Sequence, residues 1–360
     1  MFQLLKTTMN QSLFKQRDSF DTTLRKRIEE FFQLNNKKQT GDYRLYLKAI
    51  FSVSGFIITY LLLLLLNHSV LSASILLFFF VQFNILIAFN IMHDSGHQSF
   101  SAKPWLNKLS FLSLDLIGGS SFIWKQKHNH LHHPYTNIDK KDDDLENGAI
   151  LRLSPLQEKK WWHKFQFVYA PFLYSLLTLY ISFYTDIQRL ISKKVGPLEI
   201  KDIKSKDYIS FFGFKVFYIL YTLVIPSFFH SFSNVLLCFV AGHLLFGLTI
   251  SLVFQLAHTV DITSFDSEEG LKQNPTTWTE HQSKTTCGFS HKNPIVTFYC
   301  GGLNYQVEHH VFTRISHVHY PQLSKILKKT CEEFNKPYLL KDSLFSAIWG
   351  HFKFLKMMGR

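Results

Sequence analysis

The sequence predicts an all-α integral membrane protein, in which four transmembrane helices carry a cytoplasmic helical cap that holds a histidine-rich metal site. Hydrophobic residues make up 46% of the 360 residues and are concentrated in long stretches, one of which contains the unbroken leucine run 61–66. Lys and Arg give a formal net charge of +13 and fall mainly in loops and termini, as is typical of the cytoplasmic parts of membrane proteins. Histidines form three compact clusters.

Four apolar segments have the length and composition of membrane-spanning helices. Uncharged links around His68 and His230 join the first two and the last two of them. A fifth apolar segment, residues 165–184, is rich in aromatic residues, and a shorter one, residues 109–123, is expected to be buried or interfacial. The predicted spans are residues 49–66, 71–92, 211–229 and 235–257.

The histidine clusters decide which segments are expected to cross the membrane. One metal centre requires all clusters on one side, so the chain must cross an even number of times between His133 and His309. Three apolar segments lie between them, and one must therefore lie flat or stay buried. The positive-inside rule places the Lys-rich stretch 187–215 in the cytoplasm. We therefore expect residues 165–184 not to cross, and both termini and all clusters to face the cytoplasm.

These boundaries divide the chain into three parts: an N-terminal cytoplasmic segment (1–48), a membrane domain (49–320) and C-terminal cytoplasmic helices (321–360). In the N-terminal segment, Phe20, Leu24 and Ile28 share one face of a predicted helix. This pattern fits a helix at the membrane surface and an ordinary packed helix equally well. The start of the chain is polar and charged, so no signal peptide is expected.

Several function classes lack their sequence signatures. No G-x-G-x-x-G or P-loop motif indicates a nucleotide cofactor. The four cysteines form no C-x-x-C pair, which argues against a zinc ribbon or an iron–sulfur cluster. No basic stripe with interleaved aromatic residues occurs on a soluble domain, so no nucleic-acid partner is expected.

The most informative stretch is 128–133, which places four imidazoles in six residues. On an α-helix, His128 and His132 lie one turn apart on the same face, with His133 beside them. Three nitrogens would then point to one place, which favours a metal site.

Two further clusters have a similar spacing. His93 and His97 are at i and i+4, and Gln306, His309 and His310 are at i, i+3 and i+4. A single such pair is more commonly a surface or core pair. Three clusters in one apolar chain instead indicate metal binding, because imidazole is the commonest metal ligand.

Eight histidines are the predicted ligands. His258 is included because it ends the last predicted span, where it would reach the same centre from the membrane side; the alternative is an interfacial histidine. The set is His93, His97, His128, His132, His133, His258, His309 and His310.

Three polar residues in the clusters are additional candidates. Gln306 would bind metal weakly, act through a water or hydrogen-bond a ligand, whereas Asp94 and Glu308 would orient imidazoles. Glu308 fits a surface acid equally well. Other histidines are not predicted ligands: His130 points elsewhere on a helix, His68 and His230 lie on the opposite side, and His317 and His319 are expected beside the site or at the surface.

Eight imidazoles exceed the needs of one tetrahedral zinc ion and suit two ions of higher coordination number. Iron is the natural candidate, because it binds imidazole and supports dioxygen chemistry. Dioxygen and acyl chains both concentrate in the bilayer. A diiron centre at its surface would be able to remove hydrogen from an unactivated methylene.

The three clusters resemble the three histidine boxes of the membrane fatty acid desaturases. Gln306, in place of a histidine, is similar to the front-end branch, which inserts a double bond between an existing one and the carboxyl end. The resemblance covers residues 40–338, and Val311-Phe312-Thr313 departs from the usual Leu-Phe-Pro. Further matching segments are 118–121, 135–139, 142–144, 301–305 and 317–321.

The resemblance implies an enzyme that uses O2 and two iron ions to leave a cis double bond in a fatty acyl chain, with His258 matching an additional iron ligand. It implies a fatty acyl-CoA or acyl-lipid substrate of linoleoyl type. The membrane would be the bacterial cytoplasmic membrane or the endoplasmic reticulum. Many front-end desaturases carry a fused cytochrome b5 domain with a His-Pro-Gly-Gly motif. The sequence lacks this motif, so a separate ferredoxin or cytochrome b5 type donor is expected.

Four other hypotheses remain at this stage. The nearest is a fatty acyl or lipid hydroxylase that uses the same diiron site. A membrane zinc hydrolase needs fewer ligands and no electrons. A b-type haem electron carrier pairs histidines across helices. A purely structural membrane protein does not account for three clusters on one predicted face.

Overall fold

The computed structural model describes residues 13–146 and 148–360, which are mostly helical. The first twelve residues of the predicted N-terminal segment, and position 147 in the Asp-rich loop, lie outside the described residues. In chain order the helices are α1 (Ser19–Leu34), α2 (Tyr43–Leu65), α3 (Val70–Gly96), α4 (Pro104–Phe111), α5 (Ser113–Leu116), α6 (Ser121–Lys127), α7 (His133–Tyr135), α8 (Trp161–Ser192), α9 (Ser205–Phe228), α10 (Phe232–His258), α11 (Glu268–Gln273), α12 (Trp278–Thr285), α13 (Pro294–Tyr299), α14 (Gln306–Val311), α15 (Tyr320–Glu333) and α16 (Leu344–Gly359).

Several helices contain irregular turns. The wider π-helical turns are at Ala88–Met92 in α3, at His128–His132 between α6 and α7, at Ile181–Thr185 in α8 and at Leu220–Val224 in α9. The tighter 3-10 turns are at Trp161–Phe165, Pro226–Phe228 and His317–His319. The π-helical turn in α3 immediately precedes the first histidine cluster, and the turn at His128–His132 lies within the second. Turns of this kind are frequent at functional sites.

Short strands add a minor element that the all-α prediction omits. Strand β1 (Lys194–Val195) pairs antiparallel with β2 (Leu198–Glu199). Strand β3 (Cys287–Phe289) pairs in parallel with β4 (Leu339–Lys341). The β3–β4 pair connects the C-terminal part of the chain with the segment that precedes the third histidine cluster.

Among the described residues, five helices are long and apolar enough to cross a membrane by length and composition: α2, α3, α8, α9 and α10. Four of them match the predicted spans to within one residue at each helix end that falls short, and α8 contains residues 165–184. Their outer faces leave large apolar side chains uncovered, such as Leu237 at 68% and Val216 at 56% exposure. Extensive exposed apolar surface of this kind indicates contact with lipid. The predicted helical membrane fold is confirmed, and the chain is a multi-pass membrane protein.

Small and polar residues set how these helices begin and pack. The carboxylate of Asp42 accepts a hydrogen bond from the Arg44 amide and caps α2, and Ser69 caps α3 in the same way. Helices α2 and α3 approach closely at Gly55, where an added Cβ would lie 2.1 Å from the Phe83 ring. The hairpin therefore delivers the end of α3, with the first histidine cluster, to the same side as the start of α2.

The N-terminal helix packs against the cap. Phe20, Leu24 and Ile28 of α1 are buried in one core with Leu323 and Leu327 of α15. Of the two predicted alternatives for this segment, the structure therefore shows the ordinary packed helix. This core also contains residues of α14, so α1 supports the third histidine cluster.

Candidate metal centre

The site lies where several helix ends converge. The end of α3, the π-helical turn after α6, the end of α10 and the short helix α14 each contribute histidines. The structure brings all eight predicted ligands together, and none of them is more than 7% exposed.

The imidazoles form two groups, and the ligand atoms within each group lie within 4.8 Å of one another. The first histidine group consists of His93, His97, His128 and His309, and the second of His132, His258 and His310. His133 lies between them. Its Nε2 is 3.0 Å from His128 Nε2 and 3.1 Å from His309 Nε2, and it also clusters with His310. The arrangement therefore offers two neighbouring positions for metal ions.

The π-helical turn changes the expected role of the central cluster. An α-helix would direct His128 and His132 to one point. In the structure, a π-helical turn covers His128–His132, and the residue that meets His128 is His133, five positions later. His132 is turned into the second group instead. The expectation that these three nitrogens point to one place is therefore not met, because the wider turn shifts the side-chain spacing from i+4 to i+5.

The unpaired nitrogens fit metal ligation. Nε2 of His93 and of His97 are buried and have no hydrogen-bond partner among the described residues. A buried polar atom left in this way costs about 1–3 kcal/mol, and a bound cation would remove that cost. Two nitrogens held about 2.1 Å from one ion lie at most about 4.2 Å apart, so both groups need only a small contraction.

The protonation states also favour metal binding. Burial and the proximity of other imidazoles lower the pKa of His97, His128, His133, His309 and His310 well below the usual value for histidine. These rings are therefore neutral near pH 7. A neutral imidazole keeps a free lone pair, which is the form that binds a metal.

Carboxylates support the second histidine group. Nδ1 of His132 lies 3.1 Å from Asp142 Oδ1 and 3.0 Å from Asp144 Oδ2. Burial alone would lower the pKa of His132, but the two carboxylates outweigh it and raise the pKa. A hydrogen bond from Nδ1–H to a carboxylate directs Nε2 towards a metal and makes it a stronger donor.

An amide and a hydroxyl support His310. Gln282 Oε1 lies 2.8 Å from His310 Nδ1, and the Gln282 amide donates to the backbone oxygen of His133. Thr136 Oγ1 lies 3.1 Å from His310 Nδ1 and donates to the backbone oxygen of His132. These contacts link the central cluster to the third cluster across long sequence separations.

Gln306 lies within the second histidine group. Its Nε2 is 2.9 Å from His258 Nε2 and 3.3 Å from His310 Nε2, and its Oε1 is buried without a hydrogen-bond partner among the described residues. The side chain therefore contacts the imidazoles of two predicted ligands, which is one of the three roles expected for it.

The two predicted acids contact other groups. Asp94 accepts hydrogen bonds from Ser316 Oγ at 2.6 Å and pairs with His317 Nδ1 at 3.0 Å. Glu308 is fully buried and accepts a hydrogen bond from the Tyr338 hydroxyl at 2.6 Å. Neither of these contacts is to a predicted ligand, and the burial of Glu308 excludes the alternative of a surface acid. Their contacts join the clusters to the cap.

The histidines that were not predicted as ligands lie apart from the two groups. The ring of His230 bonds to backbone oxygens of Leu63 and Leu64, and it lies 6.0 Å from the His68 ring at the far ends of the helices. His130 is only partly buried. His317 and His319 are buried beside the site, where His317 links Asp94 to Lys48.

Sequence reasoning missed several residues that contact the ligands. Trp124 precedes His128 by four residues, which is a helical spacing, and the Asp run 142–144 and the segment 317–321 are also visible signals, whereas Gln282 has no such signal. The missed residues are Trp124, Thr136, Asp142, Asp144, Gln282 and Tyr320.

A family model described as fatty acid desaturase matches residues 66–341. The chain belongs to the fatty acid desaturase family. It is 32% identical to an acyl-lipid (8-3)-desaturase of Physcomitrium patens over 95% of this chain and 72% of that protein. It is 31% identical to two proteins named sn-1 linoleoyl-lipid 6-desaturase. The alignment with the Arthrospira platensis protein covers 98% of this chain and 96% of that protein. The alignment with the protein of Synechocystis sp. (strain ATCC 27184 / PCC 6803 / Kazusa) covers 96% of this chain and 97% of that protein.

These findings confirm the predicted activity class. The protein is an oxidoreductase, a desaturase that introduces a double bond into a fatty acyl chain. Its histidine groups are able to hold metal, and its substrate is a lipid.

An apolar cavity lies between α2, α3, α9 and α10. It has a volume of about 480 Å³ and is lined mainly by apolar side chains such as Leu77, Phe80 and Phe246. Phe246 precedes His258 by twelve residues of α10, about 18 Å at 1.5 Å per residue. The cavity therefore lies deeper along the helices than the metal centre. The His243 ring at its wall is held by Thr178 at 3.0 Å and Tyr218 at 2.9 Å.

Proposed function

We propose that this desaturase is a front-end enzyme, which acts on an acyl chain that already has a double bond and places a new cis bond on its carboxyl side. The contact of Gln306 with His258 and His310 carries this proposal, because Gln306 is the residue by which the sequence resembles that branch and it lies among the proposed ligands. The relatives named linoleoyl-lipid 6-desaturase and acyl-lipid (8-3)-desaturase support an acyl-lipid substrate of this type.

The eight histidines are proposed to hold two iron ions. The first group would hold one ion and the second the other, with His133 between them. Bound iron would supply the chemistry that activates O2. The balanced reaction is –CH2–CH2– + O2 + 2e− + 2H+ → –CH=CH– + 2H2O, so a reduced carrier protein must provide two electrons.

The side chains around the iron keep the ligands in place. Asp142 and Asp144 hold His132, while Gln282 holds His310. Since adjacent methylenes are chemically alike, the position of the double bond depends on how the chain is held against this fixed centre. The buried site excludes bulk water, which protects the reacting centre from side reactions.

The cavity between α2, α3, α9 and α10 is proposed to receive the methyl-terminal part of the acyl chain. Its apolar lining suits methylenes, and its depth suits the segment that extends beyond the reacting carbons. Small-molecule sites are commonly apolar cavities of this size with a few polar groups at the wall.

The proposed topology has four crossings, with α8 lying on the side of the metal centre. At one end of α8, the Gln166 amide donates to the backbone oxygen of Leu355 in the cap. At the other end, Arg189 pairs at 2.6 Å with Asp143, which is adjacent to the Asp142 that holds His132. Contacts of both ends with the same side support a helix that does not cross. The Lys-rich stretch after α8 supports a cytoplasmic orientation.

Product analysis tests the proposed function. The protein would be produced in a host without polyunsaturated acids, supplied with linoleate, and new double bonds would be located by mass spectrometry. We expect a bond on the carboxyl side of the existing ones, absent from a His309→Ala, His310→Ala variant. A hydroxylated product would overturn desaturation, and a bond on the methyl side would overturn the front-end assignment.

A further inference from the structure

We propose that Trp124 is the point at which electrons enter the metal centre, and that the basic surface around it docks an acidic one-electron carrier protein. This inference deepens the proposed function, because it rests on the two-iron site and on an external electron source. It concerns how the chain connects that site to its surface.

Trp124 contacts the first histidine group directly. Its indole stacks on the His128 ring, with centroids 4.1 Å apart and planes 28° apart. The same ring lies 5.7 Å from His97 and 5.9 Å from His93. One aromatic side chain therefore touches three of the four imidazoles that would hold the first ion.

The same side chain also reaches the surface. Trp124 is partly exposed, and the next residue, Lys125, is exposed. Tyr320, whose hydroxyl lies 3.2 Å from His309 Nδ1, is only 2% exposed. Of these two aromatic residues beside the first group, Trp124 thus combines ligand contact with partial exposure.

The surrounding residues hold the indole in this position. An added Cβ at Gly96 would lie 2.5 Å from the Trp124 ring, so the glycine provides the space in which the ring lies. The Phe111 ring packs at 5.5 Å and an angle of 67° on the indole. The Trp124 ring is therefore fixed between the end of α3 and the first histidine group, which would provide a short path for an electron to that group.

Exposed lysines lie close to Trp124 in sequence or on α4, the helix whose Phe111 packs on its ring. Lys108 is exposed and precedes Phe111 by three residues, so it lies on a neighbouring face of α4. Lys125 follows Trp124, and Lys103 at the start of α4 is also exposed. With a whole-chain charge of +13, this surface would attract an acidic protein and increase its association rate.

The electron balance requires two deliveries in each turnover. A reduced carrier loses one electron and is oxidised, the metal centre is reduced by one electron, and a second reduced carrier repeats the step. Together they provide the two electrons consumed with O2, while the two protons come from solvent. No bond to Trp124 forms or breaks.

The test measures reduction of the iron-loaded protein in the absence of acyl substrate. A reduced acidic [2Fe–2S] ferredoxin is mixed rapidly with the purified protein, and ferredoxin oxidation is followed by absorbance. In parallel, iron content is measured, and reduction by dithionite serves as a small-molecule comparison. The variants are Trp124→Leu, Trp124→Phe and the pair Lys108→Glu, Lys125→Glu, and the matched control is the partly exposed Trp162→Leu.

We expect Trp124→Leu to slow ferredoxin oxidation at least tenfold with iron content and dithionite reduction retained, and Trp124→Phe to slow it less. The double variant Lys108→Glu, Lys125→Glu should bind ferredoxin more weakly, and its binding should depend less on salt concentration. The control Trp162→Leu should match the wild type. A wild-type rate in Trp124→Leu, or an iron loss proportional to the rate, would overturn electron entry. If dithionite reduces the wild type but the acidic ferredoxin does not, docking of an acidic carrier is overturned. Because no acyl chain is present, these outcomes are independent of the double-bond position.

Discussion

The two histidine groups use the same ligand chemistry in different surroundings. The first is bordered by the partly exposed Trp124, and the Nε2 atoms of its His93 and His97 have no hydrogen-bond partner among the described residues. The second is surrounded by hydrogen-bonding side chains, of which Asp142 holds His132 and Gln282 holds His310. The difference teaches that two ions would not be equivalent at these groups even though the ligands are similar imidazoles. We expect the second to be held more tightly and the first to be reduced more readily.

Removal of the shared ligand should have the largest effect. His133 lies 3.0 Å from His128 Nε2 and 3.1 Å from His309 Nε2, and it also clusters with His310. We expect His133→Ala to lower both the iron content and the desaturation rate by more than about 100-fold, since ligand loss exceeds the effect of changing an orienting residue. Metal analysis of the purified protein measures the iron content, and product yield measures the desaturation rate.

His130→Ala is the matched control, because His130 is in the same six-residue stretch but is outside both groups. It should keep wild-type iron content. If His130→Ala and His133→Ala lose iron equally, the stretch is merely sensitive to substitution, and the position of His133 between the groups has no special role.

Removal of one ligand from each group should separate the two ions. His97 belongs to the first group and His258 to the second. We expect each alanine variant to retain roughly one ion, because each group has its own remaining ligands. The retained ion should exchange with chelator more slowly in His97→Ala than in His258→Ala. Equal exchange rates would show that the carboxylates and amides around the second group do not strengthen it.

A smaller effect is expected from the residue that orients a ligand. Asp142→Asn keeps the size of the side chain but removes the charge that His132 Nδ1 contacts at 3.1 Å. Such changes cost about 10–100-fold in metal affinity or activity. We expect this loss for the ion of the second group, with the first unchanged, as measured by competition with a chelator.

Asp139→Asn provides the comparison for Asp142→Asn. It removes a carboxylate from the same Asp-rich loop, where the Asp139 amide donates a backbone hydrogen bond to Asp266. A similar loss in both variants would attribute the effect to the charge of the loop and not to the contact with His132.

Much of the site could be predicted from the sequence, because spacing within a helix determines which side chains are neighbours. The eight histidines come together as their clustering predicts. Their division into two groups was not predictable, since it depends on a π-helical turn at His128–His132 that has no reliable sequence signal. Contacts such as Gln282 with His310 depend on tertiary packing between distant segments.

The membrane fold shows a similar limit. Hydropathy locates the apolar helices well, and four match the predicted spans to within one residue at each helix end that falls short. It does not distinguish α8 from a crossing helix, because length and composition qualify it as well. The contacts at its two ends, of Gln166 with Leu355 and of Arg189 with Asp143, support the proposal that α8 does not cross. The apolar character of a segment does not determine where that segment lies in the folded structure.

Gln306 provides the subtlest test of the comparison between the groups. It contacts only ligands of the second group, His258 at 2.9 Å and His310 at 3.3 Å. An amide is a weak ligand beside imidazoles, so we expect Gln306→Leu to reduce iron affinity by no more than about tenfold, the lower end of the range for residues around a ligand. Gln306→His should keep iron, because it adds an imidazole to the same group. Chelator competition measures both variants. A loss from the first group instead of the second would show that the two ions are coupled through His133 and do not bind independently.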